Sequence, residues 1–265
     1  MRFRSTVVVI IIVTFTMQTG LEARNMLWSE GTAHLLPPGQ KEMGFFQPFR
    51  YGYSGTLEIS TYKLSALIMP NISVKRAWNS YKGWDLATRH GLVYPTLLLR
   101  KLQSPLGMKL GDPDKFALIS PEFKIPQMIA LHNGILASRI LRNGQLLTIK
   151  GSLDLAFLGG KLDRRTTIDL PLIFPRLSVF YNKLLFRFGS DLAGSLTERW
   201  SYLLDYDLFL MPGGHEFYIL EHKGLLIWTK SDRFRVLAGY KLSAGEYPFG
   251  VQAHLLPALD FQWGF

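Results

Sequence analysis

The amino-acid sequence predicts an all-β protein, folded as a closed antiparallel up-and-down barrel of about 12 strands, with ten strands as the alternative. Two observations predict this fold. Apolar and polar side chains alternate along a series of segments, each close to the roughly 9–11 residues of a strand that crosses a bilayer. Turn residues such as Ser54-Gly55 and Asn143-Gly144 separate the segments, so consecutive strands form an antiparallel meander.

The last strand, over residues 250–265, shows the alternation most completely. One face is apolar throughout and ends on Phe261, Trp263 and Phe265, whereas the opposite face includes His254. A period of two residues means that the side chains of an extended strand point alternately into two environments. In a soluble sandwich the apolar face would be the core, whereas in a transmembrane barrel it would face lipid.

The same alternation recurs upstream, over residues 184–192, 200–210, 216–228 and 234–244. The polar faces carry charges of both signs, and we predict that they line the barrel interior. The predicted lining residues are Arg187, Asp191, Asp205, Asp207, Glu221, Lys223, Arg235, Lys241, His254 and Asp260. Opposite charges on neighbouring strands would form ladders across the wall. Such ladders fit a closed, salt-bridged interior and a charged aqueous path equally well.

The N-terminal half follows the pattern less regularly. Residues 43–53 form one alternating run, and residues 147–157 form another, with Thr148 and Lys150 on the polar face. The segment 127–141 has a strand-like composition, but its two faces are ambiguous.

Two long connections conflict with the strand count. If both termini lie on one side of a membrane, counting places the connections 95–126 and 159–174 on that side too. Long connections normally lie on the opposite side of such barrels. Either a strand is missed or over-counted near each connection, or these proline-containing segments fold into the interior.

The start of the chain is typical of a secretory signal peptide. Arg2 and Arg4 precede a short apolar run over residues 7–13, and Ala23 supplies a small residue for cleavage. We predict a signal peptide over residues 1–23 and one barrel domain over residues 24–265. A buried N-terminal helix is the alternative.

The composition excludes several classes of protein. The 265 residues include no cysteine, so the chain has no disulfide framework, no thiolate chemistry and no lipidated-cysteine anchor. The excess of lysine and arginine over aspartate and glutamate gives a net charge of +10. The basic residues are dispersed through the strand-like segments rather than clustered. We therefore predict no nucleic-acid partner.

Aromatic side chains near the segment ends favour the membrane over the soluble sandwich. Trp200, Trp228 and Trp263 lie where the aromatic girdles of a membrane barrel would be. Together with the signal peptide and the alternating strands, the ending on Phe261, Trp263 and Phe265 resembles that of bacterial outer-membrane β-barrel proteins. The segments 44–52 and 239–250 also resemble an uncharacterised subgroup of those proteins.

This resemblance implies a location and partners. The protein would reach the outer membrane through the periplasm and contact outer-membrane lipid. Its terminal strand, with Phe261, Trp263 and Phe265, would be the signal read by the barrel-assembly machinery, by strand addition at a sheet edge. Small solutes would be partners if the barrel conducts. The resemblance implies no enzymatic activity and no cofactor.

A search for catalytic residues finds no motif of a barrel hydrolase. His132 and Ser138 could share a face, and Asp205, Asp207 and His215 approach one rim, but neither set has the arrangement of a nucleophile, a base and an orienting group. The two aspartates could hold a hard cation, or they could pair with interior cations, which we favour.

We therefore predict a non-enzymatic pore, transport or structural barrel without a metal or cofactor. The alternatives are an outer-membrane barrel hydrolase that acts on lipid or peptide, and a secreted soluble β-sandwich binding protein.

Overall fold

The computed structural model describes residues 28–103, 119–166, 170–213 and 216–265, and over these residues the chain forms one closed antiparallel barrel of twelve strands. The strands are β1 (Lys41–Gly44), β2 (Phe49–Ser54), β3 (Leu57–Thr61), β4 (Asn71–Tyr81), β5 (Trp84–Val93), β6 (Met128–Ile140), β7 (Leu146–Leu158), β8 (Leu184–Ser195), β9 (Trp200–Leu210), β10 (Tyr218–Ser231), β11 (Phe234–Tyr247) and β12 (Gly250–Gly264). The helices are α1 (Lys63–Ala66), α2 (Thr96–Leu102) and α3 (Phe174–Asn182). The predicted fold class is confirmed, with twelve strands rather than ten.

Two predictions fall outside the described residues. The predicted signal peptide, residues 1–23, lies in the N-terminal part that the structure does not describe, and so does His215. Among the described residues, no helix is both long and apolar enough to cross a membrane.

The two faces of each strand follow the alternation. The ambiguous segment 127–141 becomes β6, in which Leu136 is buried and Ile135 is 63% exposed on the outer wall. On β12, Val251 and Leu255 are 76% and 70% exposed on the outer wall. The outer wall is therefore mainly apolar and exposed, as the period of two residues predicts.

The prediction of one strand over residues 43–53 is wrong. The chain leaves the sheet after Gly44 and returns at Phe49, so β1 and β2 are separate strands. Pro48 cannot donate a ladder hydrogen bond, and Phe46 donates its backbone N–H to the carboxylate of Asp260 at 3.0 Å instead. A strand break that changes neither hydrophobicity nor charge leaves no signal in an alternation pattern.

Because residues 43–53 form two strands instead of one, every later strand runs in the direction opposite to the one predicted. We call the end of the barrel where β1 begins and β12 ends the terminal end, and the opposite end the loop end. β5 and β7 end at the loop end, so the described residues of the connections 95–126 and 159–174 begin there. Their predicted position on the side of both termini is therefore wrong, and the missed strand is the reason.

The barrel closes through a short seam. β12 pairs with β11 from Gly250 to Trp263 but with β1 only from Gln262 to Gly264. Lys41 and Phe265 add two reciprocal backbone hydrogen bonds of 2.8 and 3.0 Å. From residue 250 to 259, no described residue donates or accepts a backbone bond on the β1 side of β12. This stretch is an open sheet edge.

Pro257 lies in the middle of the open edge. The two-residue turn between β11 and β12 makes Tyr247 and Gly250 the closing hydrogen-bonded pair. Counting from that pair, Pro257 faces Tyr240 as a non-hydrogen-bonded pair, so its nitrogen points away from β11. The residue without an N–H therefore stands where the strand has no neighbour, which is where proline is tolerated in a sheet.

The interior is filled at the loop end. We call α2, α3 and residues 119–127 the loop-end plug. Apolar side chains of this plug, among them Leu99 and Phe180, pack against inward-facing residues of the wall such as Met128 and Ile219. Both long connections therefore contribute segments to the interior. The second alternative, that they fold into the interior, thus holds together with the missed strand.

The interior is also filled at the terminal end. Residues 28–37 precede β1 and lie inside the barrel, and we call them the N-terminal plug. Ala33 and Leu36 are buried there, and Ala33 packs with Ala87 and Leu136 of the wall. Charged side chains lie between the two plugs, and we call them the belt; they include Lys150, Asp191, Asp205 and Asp207.

Candidate functional site: the charged interior

Lysine 150 is the centre of the belt. Its Nζ lies 2.7 Å from Asp191, 2.8 Å from Asp205 and 3.3 Å from Asp207. Asp191 and Asp205 face each other directly on β8 and β9, and Asp207 is the next inward residue of β9. Three buried carboxylates can be this close only because cations lie among them.

Two further cations complete this cluster. Lys223 Nζ lies 2.8 Å from Asp205, and the Arg187 guanidinium donates to Asp207. Asp205 and Asp207 thus pair with interior cations and leave no open carboxylate cluster for a metal. Among the described residues, no group of three or more histidines, aspartates or glutamates could hold a metal ion.

Glu221 connects the wall to the loop-end plug. The carboxylate is 2% exposed and accepts two hydrogen bonds from the Arg176 guanidinium of α3, at 2.9 and 2.8 Å. Lys241 Nζ lies 2.7 Å from the same carboxylate. A two-point contact of this kind fixes the orientation as well as the position of α3.

The N-terminal plug is held by buried charges of β1 to β4. Arg50 lies between Glu30 of the plug and Glu42 of β1 and pairs with both. Lys75 pairs with Glu58 at 3.2 Å. These four wall residues are all buried.

Backbone groups of the plug complete the attachment. Lys75 Nζ donates to the carbonyl oxygens of Ser29 and His34 at 3.0 and 2.6 Å. Glu58 accepts the backbone N–H of Leu36 at 3.0 Å, and Ser138 Oγ accepts that of Ala33 at 2.8 Å. The plug is therefore bound mainly through its main chain, which requires no distinctive side chains in residues 28–37 and leaves no motif in the sequence.

The remaining predicted lining residues also point into the barrel. His254 Nε2 lies 2.7 Å from the side-chain oxygen of Gln252, and Asp260 accepts a hydrogen bond of 2.9 Å from Gln262. Arg235 donates to Gln262 at 2.6 Å, and its guanidinium lies 4.1 Å from the ring of Trp28.

The proposed signal residues lie on the other side of the wall. Phe261, Trp263 and Phe265 point outward at the terminal end, and the Trp263 ring packs against Phe234 with ring centres 5.7 Å apart. Their role in assembly stays a prediction.

The first pair of candidate catalytic residues, His132 and Ser138, is not brought together, and His215 of the second set lies outside the described residues. His132 Nδ1 lies 2.5 Å from Asp154, but Ser138 bonds to Thr148 at 2.7 Å and to the N-terminal plug. His132 and Ser138 are three inward positions apart on β6, too far for proton transfer between them. Asp205 and Asp207 belong to the Lys150 cluster.

The sequence reasoning missed Glu42 and Arg50 as interior residues. Both lie on strands of four to six residues, too short for a reliable alternation pattern. The even-numbered residues of β12 point inward, and Glu42 faces one of them, Gly264, across the seam. This pairing is the signal that places Glu42 inside.

A crevice of about 1220 Å³ opens at the loop end, beside Phe157 and the 3-10 turn Arg164–Thr166. Its clearest polar feature is the exposed pair of Asp163 and Arg165, 2.7 Å apart. Hydrogen bonds from Arg165 lower the pKa of Asp163 to about 2. The same pair raises the pKa of Arg165.

No protein-family model and no curated protein matches the chain. Among solved structures, the fold is similar to that of the outer membrane channel DcaP of Acinetobacter baumannii, with 9% sequence identity and a TM-score of 0.37. The match covers 83% of this chain and 62% of the channel, so the chain spans less than two thirds of that protein's length.

Proposed function

We propose that this protein is an integral outer-membrane β-barrel without enzymatic activity, which holds a closed path for small solutes through its charged interior. The observation that carries the proposal is the division of the wall into two faces. The outer face exposes apolar side chains such as Val251 and Leu255, whereas the inner face buries Asp207, Glu221 and Lys75. A wall exposed to water would carry its charges on the opposite side.

The proposed location follows from this division. Exposed apolar side chains surround the barrel, and Trp200 and Trp263 stand near the terminal end, where an aromatic girdle is expected. The signal peptide would direct the chain to the periplasm, and Phe261, Trp263 and Phe265 would be read by the barrel-assembly machinery. The partners in the membrane would be lipids.

Membrane fractionation tests the location. We expect the protein in the outer-membrane fraction, with a mobility on gels that changes on heating, because a closed barrel resists unfolding by detergent. Recovery in the soluble periplasmic fraction without detergent would contradict the membrane assignment and support a soluble binding protein.

The proposed path is closed in the structure by both plugs. The N-terminal plug is the better candidate for the movable part, because its contacts to the wall are hydrogen bonds and ion pairs rather than a large apolar surface. Displacing it would expose the charges around Lys150, and a continuous path would also require the loop-end plug to move. The exposed charges would then select among solutes.

Cysteine substitution can test the movable plug in this protein, because the native chain has no cysteine. The backbone nitrogen of Ala33 lies 2.8 Å from Ser138 Oγ, so we expect cysteines at these two positions to form a disulfide that locks the plug. Planar-bilayer recordings of the double variant should show channel events only after reduction.

Each single-cysteine variant is the control and should conduct with or without reductant. The absence of channel events from the native protein at any voltage would overturn the pore. Equal conductance of the oxidised and reduced double variant would show that this plug does not close the path.

A further inference from the structure

Six inward-facing residues form one continuous row across neighbouring strands at the middle of the barrel. The register pairs the row step by step along β4 to β9. The members of the row are Lys75, Arg89, Gly134, Ser152, Arg187 and Phe209. A glycine and a serine thus stand between two guanidinium groups, so the inner wall between the two arginines is lined by small residues only.

Arg89 has no counter-ion. No described residue accepts a hydrogen bond from its guanidinium or lies within ion-pair distance of it, although the side chain points into the interior. Lys75, its neighbour in the row, is satisfied by Glu58 and by carbonyl oxygens of the N-terminal plug. Arg89 is therefore a cation that the protein does not neutralise by direct contact.

Two further donors near Arg89 have no acceptor among the described residues. Ser152 Oγ and Arg187 Nε are both buried and both lack a hydrogen-bond partner. Buried donors are almost always satisfied in folded proteins. Both residues lie on the same row as Arg89. Together the three donors indicate a site for a hydrogen-bond acceptor that the chain itself does not supply.

His132, the inward residue of β6 before Gly134, borders the same site. Its Nδ1 is held by Asp154 at 2.5 Å, and its Nε2 lies 3.2 Å from the position that a Cβ on Gly134 would occupy. The side chains of His132 and Arg187 remain 32% and 33% exposed, so both can be reached from the interior.

The acidic groups that face this site are already paired. Asp154 is held by His132, Asp207 by Arg187 and Lys150, and Asp191 by Lys150. Glu58 is held by Lys75. The uncompensated charge at this point of the belt is therefore the positive charge of Arg89, and the site favours an anion.

We propose that Arg89, Ser152 and Arg187 bind a small oxyanion between the two arginines of this row, such as the carboxylate or phosphate group of a solute. The planar guanidinium of Arg89 can donate two parallel hydrogen bonds to two oxygens of such a group. The Ser152 hydroxyl and Arg187 Nε supply further donors. This proposal deepens the proposed function, on which it rests, by naming the class of solute.

Binding can be measured on the full-length protein in detergent micelles, without any requirement for conduction. Isothermal titration with sodium phosphate and with sodium acetate, against sodium chloride at constant ionic strength, should show binding of one or both oxyanions to the native protein. The Arg89→Gln variant should bind at least tenfold more weakly. The Arg139→Gln variant is the matched control, because Arg139 is exposed on the outer side of β6, and it should bind as the native protein does.

Further variants separate a specific site from general charge. Arg89→Lys keeps the charge but loses the two-point geometry and should bind with intermediate affinity, and Ser152→Ala should weaken binding less than Arg89→Gln. All variants should keep the native heat-modifiable mobility, because Arg89 has no described partner to lose.

Three results would overturn the site: no binding by the native protein, equal binding by Arg89→Gln, or equal binding of chloride. Phosphate and acetate distinguish the two oxyanion classes. Oxyanion binding by a protein that never conducts would reject the pore and keep the site, whereas conduction without oxyanion binding would do the reverse.

Discussion

The Arg176 guanidinium on α3 and the Glu221 carboxylate on β10 form a two-point ion pair inside the barrel, with N–O distances of 2.9 and 2.8 Å. This contact joins a segment from a long connection to a strand 45 residues further along the chain. It is the clearest polar attachment of the loop-end plug to the wall.

We expect Arg176→Gln to loosen this plug. Glu221 keeps Lys241 as a partner at 2.7 Å, so the loss of unfolding free energy should be about 1–2 kcal/mol rather than the larger cost of a fully unpaired buried charge. Urea unfolding in micelles measures it, and Arg142→Gln, at an exposed turn, is the control. Equal stability of the two variants would show that the ion pair does not hold α3.

Lys75→Met should release the N-terminal plug. The substitution leaves Glu58 buried without its cation and removes the donor to two plug carbonyls, so we expect a loss of about 3–5 kcal/mol. Limited proteolysis should then cut within residues 28–37, which the native barrel protects. The double variant with Glu58→Gln should recover part of the stability, and protection of the plug in Lys75→Met would contradict its attachment through Lys75.

Lys150→Ala should create a cation site between Asp191 and Asp205. Asp191 would then lose its cation, whereas Lys223 still holds Asp205 and Arg187 still holds Asp207. A hard divalent cation favours the carboxylate oxygens that Lys150 leaves. We expect Ca²⁺ to raise the thermal midpoint of this variant and leave the native protein unchanged. Lys161→Ala, in the loop-end crevice, is the control, and indifference of Lys150→Ala to Ca²⁺ would refute the prediction.

The Asp163 carboxylate should stay ionised in acid. Its pKa is lowered to about 2 by hydrogen bonds from Arg165, so the stabilising contact is present above the ordinary aspartate pKa and is lost only as the pH falls through about 2. Carboxyl ¹³C chemical shifts followed against pH measure the midpoint. Arg165→Gln should return the midpoint towards the ordinary value near 4, and an unchanged midpoint in that variant would exclude Arg165 as the cause.

Pro257→Val should allow the open edge of β12 to pair with a second copy of the protein. Valine restores an N–H on the side of β12 that lacks a neighbour, and an unpaired strand edge pairs readily with another chain. Cross-linking in micelles should show more dimer than for the native protein. Ala238→Val, on a strand paired on both sides, is the control, and equal dimer fractions would show that Pro257 does not protect this edge.

The faces of the strands could be predicted from the sequence because they depend on local geometry. Lys150 points inward and Ile149 outward for the same reason that any two successive side chains of an extended strand diverge. The charged interior and the apolar outer wall of β7 to β12 were predictable for this reason. Only β1 and β2, broken at residues 45–48, escaped the pattern.

The partners of the interior charges could not be predicted in the same way. Arg235 donates to the neutral side chain of Gln262, and Arg89 pairs with no described residue. Which charges meet depends on the register between strands and on what enters the barrel from its ends, and neither is written in the alternation of one strand.

By itself, the sequence predicted the barrel class, a strand number of about 12 and the alternation of inward and outward side chains along the C-terminal strands. These properties follow from a two-residue period and from turn residues, which act over a few positions of the chain. Only the tertiary structure decided that both ends of the interior are filled, that the connections 95–126 and 159–174 begin at the loop end, and that Ala33 binds Ser138 across 105 residues. Contacts at such separations are set by closure of the sheet, because closure alone brings distant strands and the plugs between them into one interior.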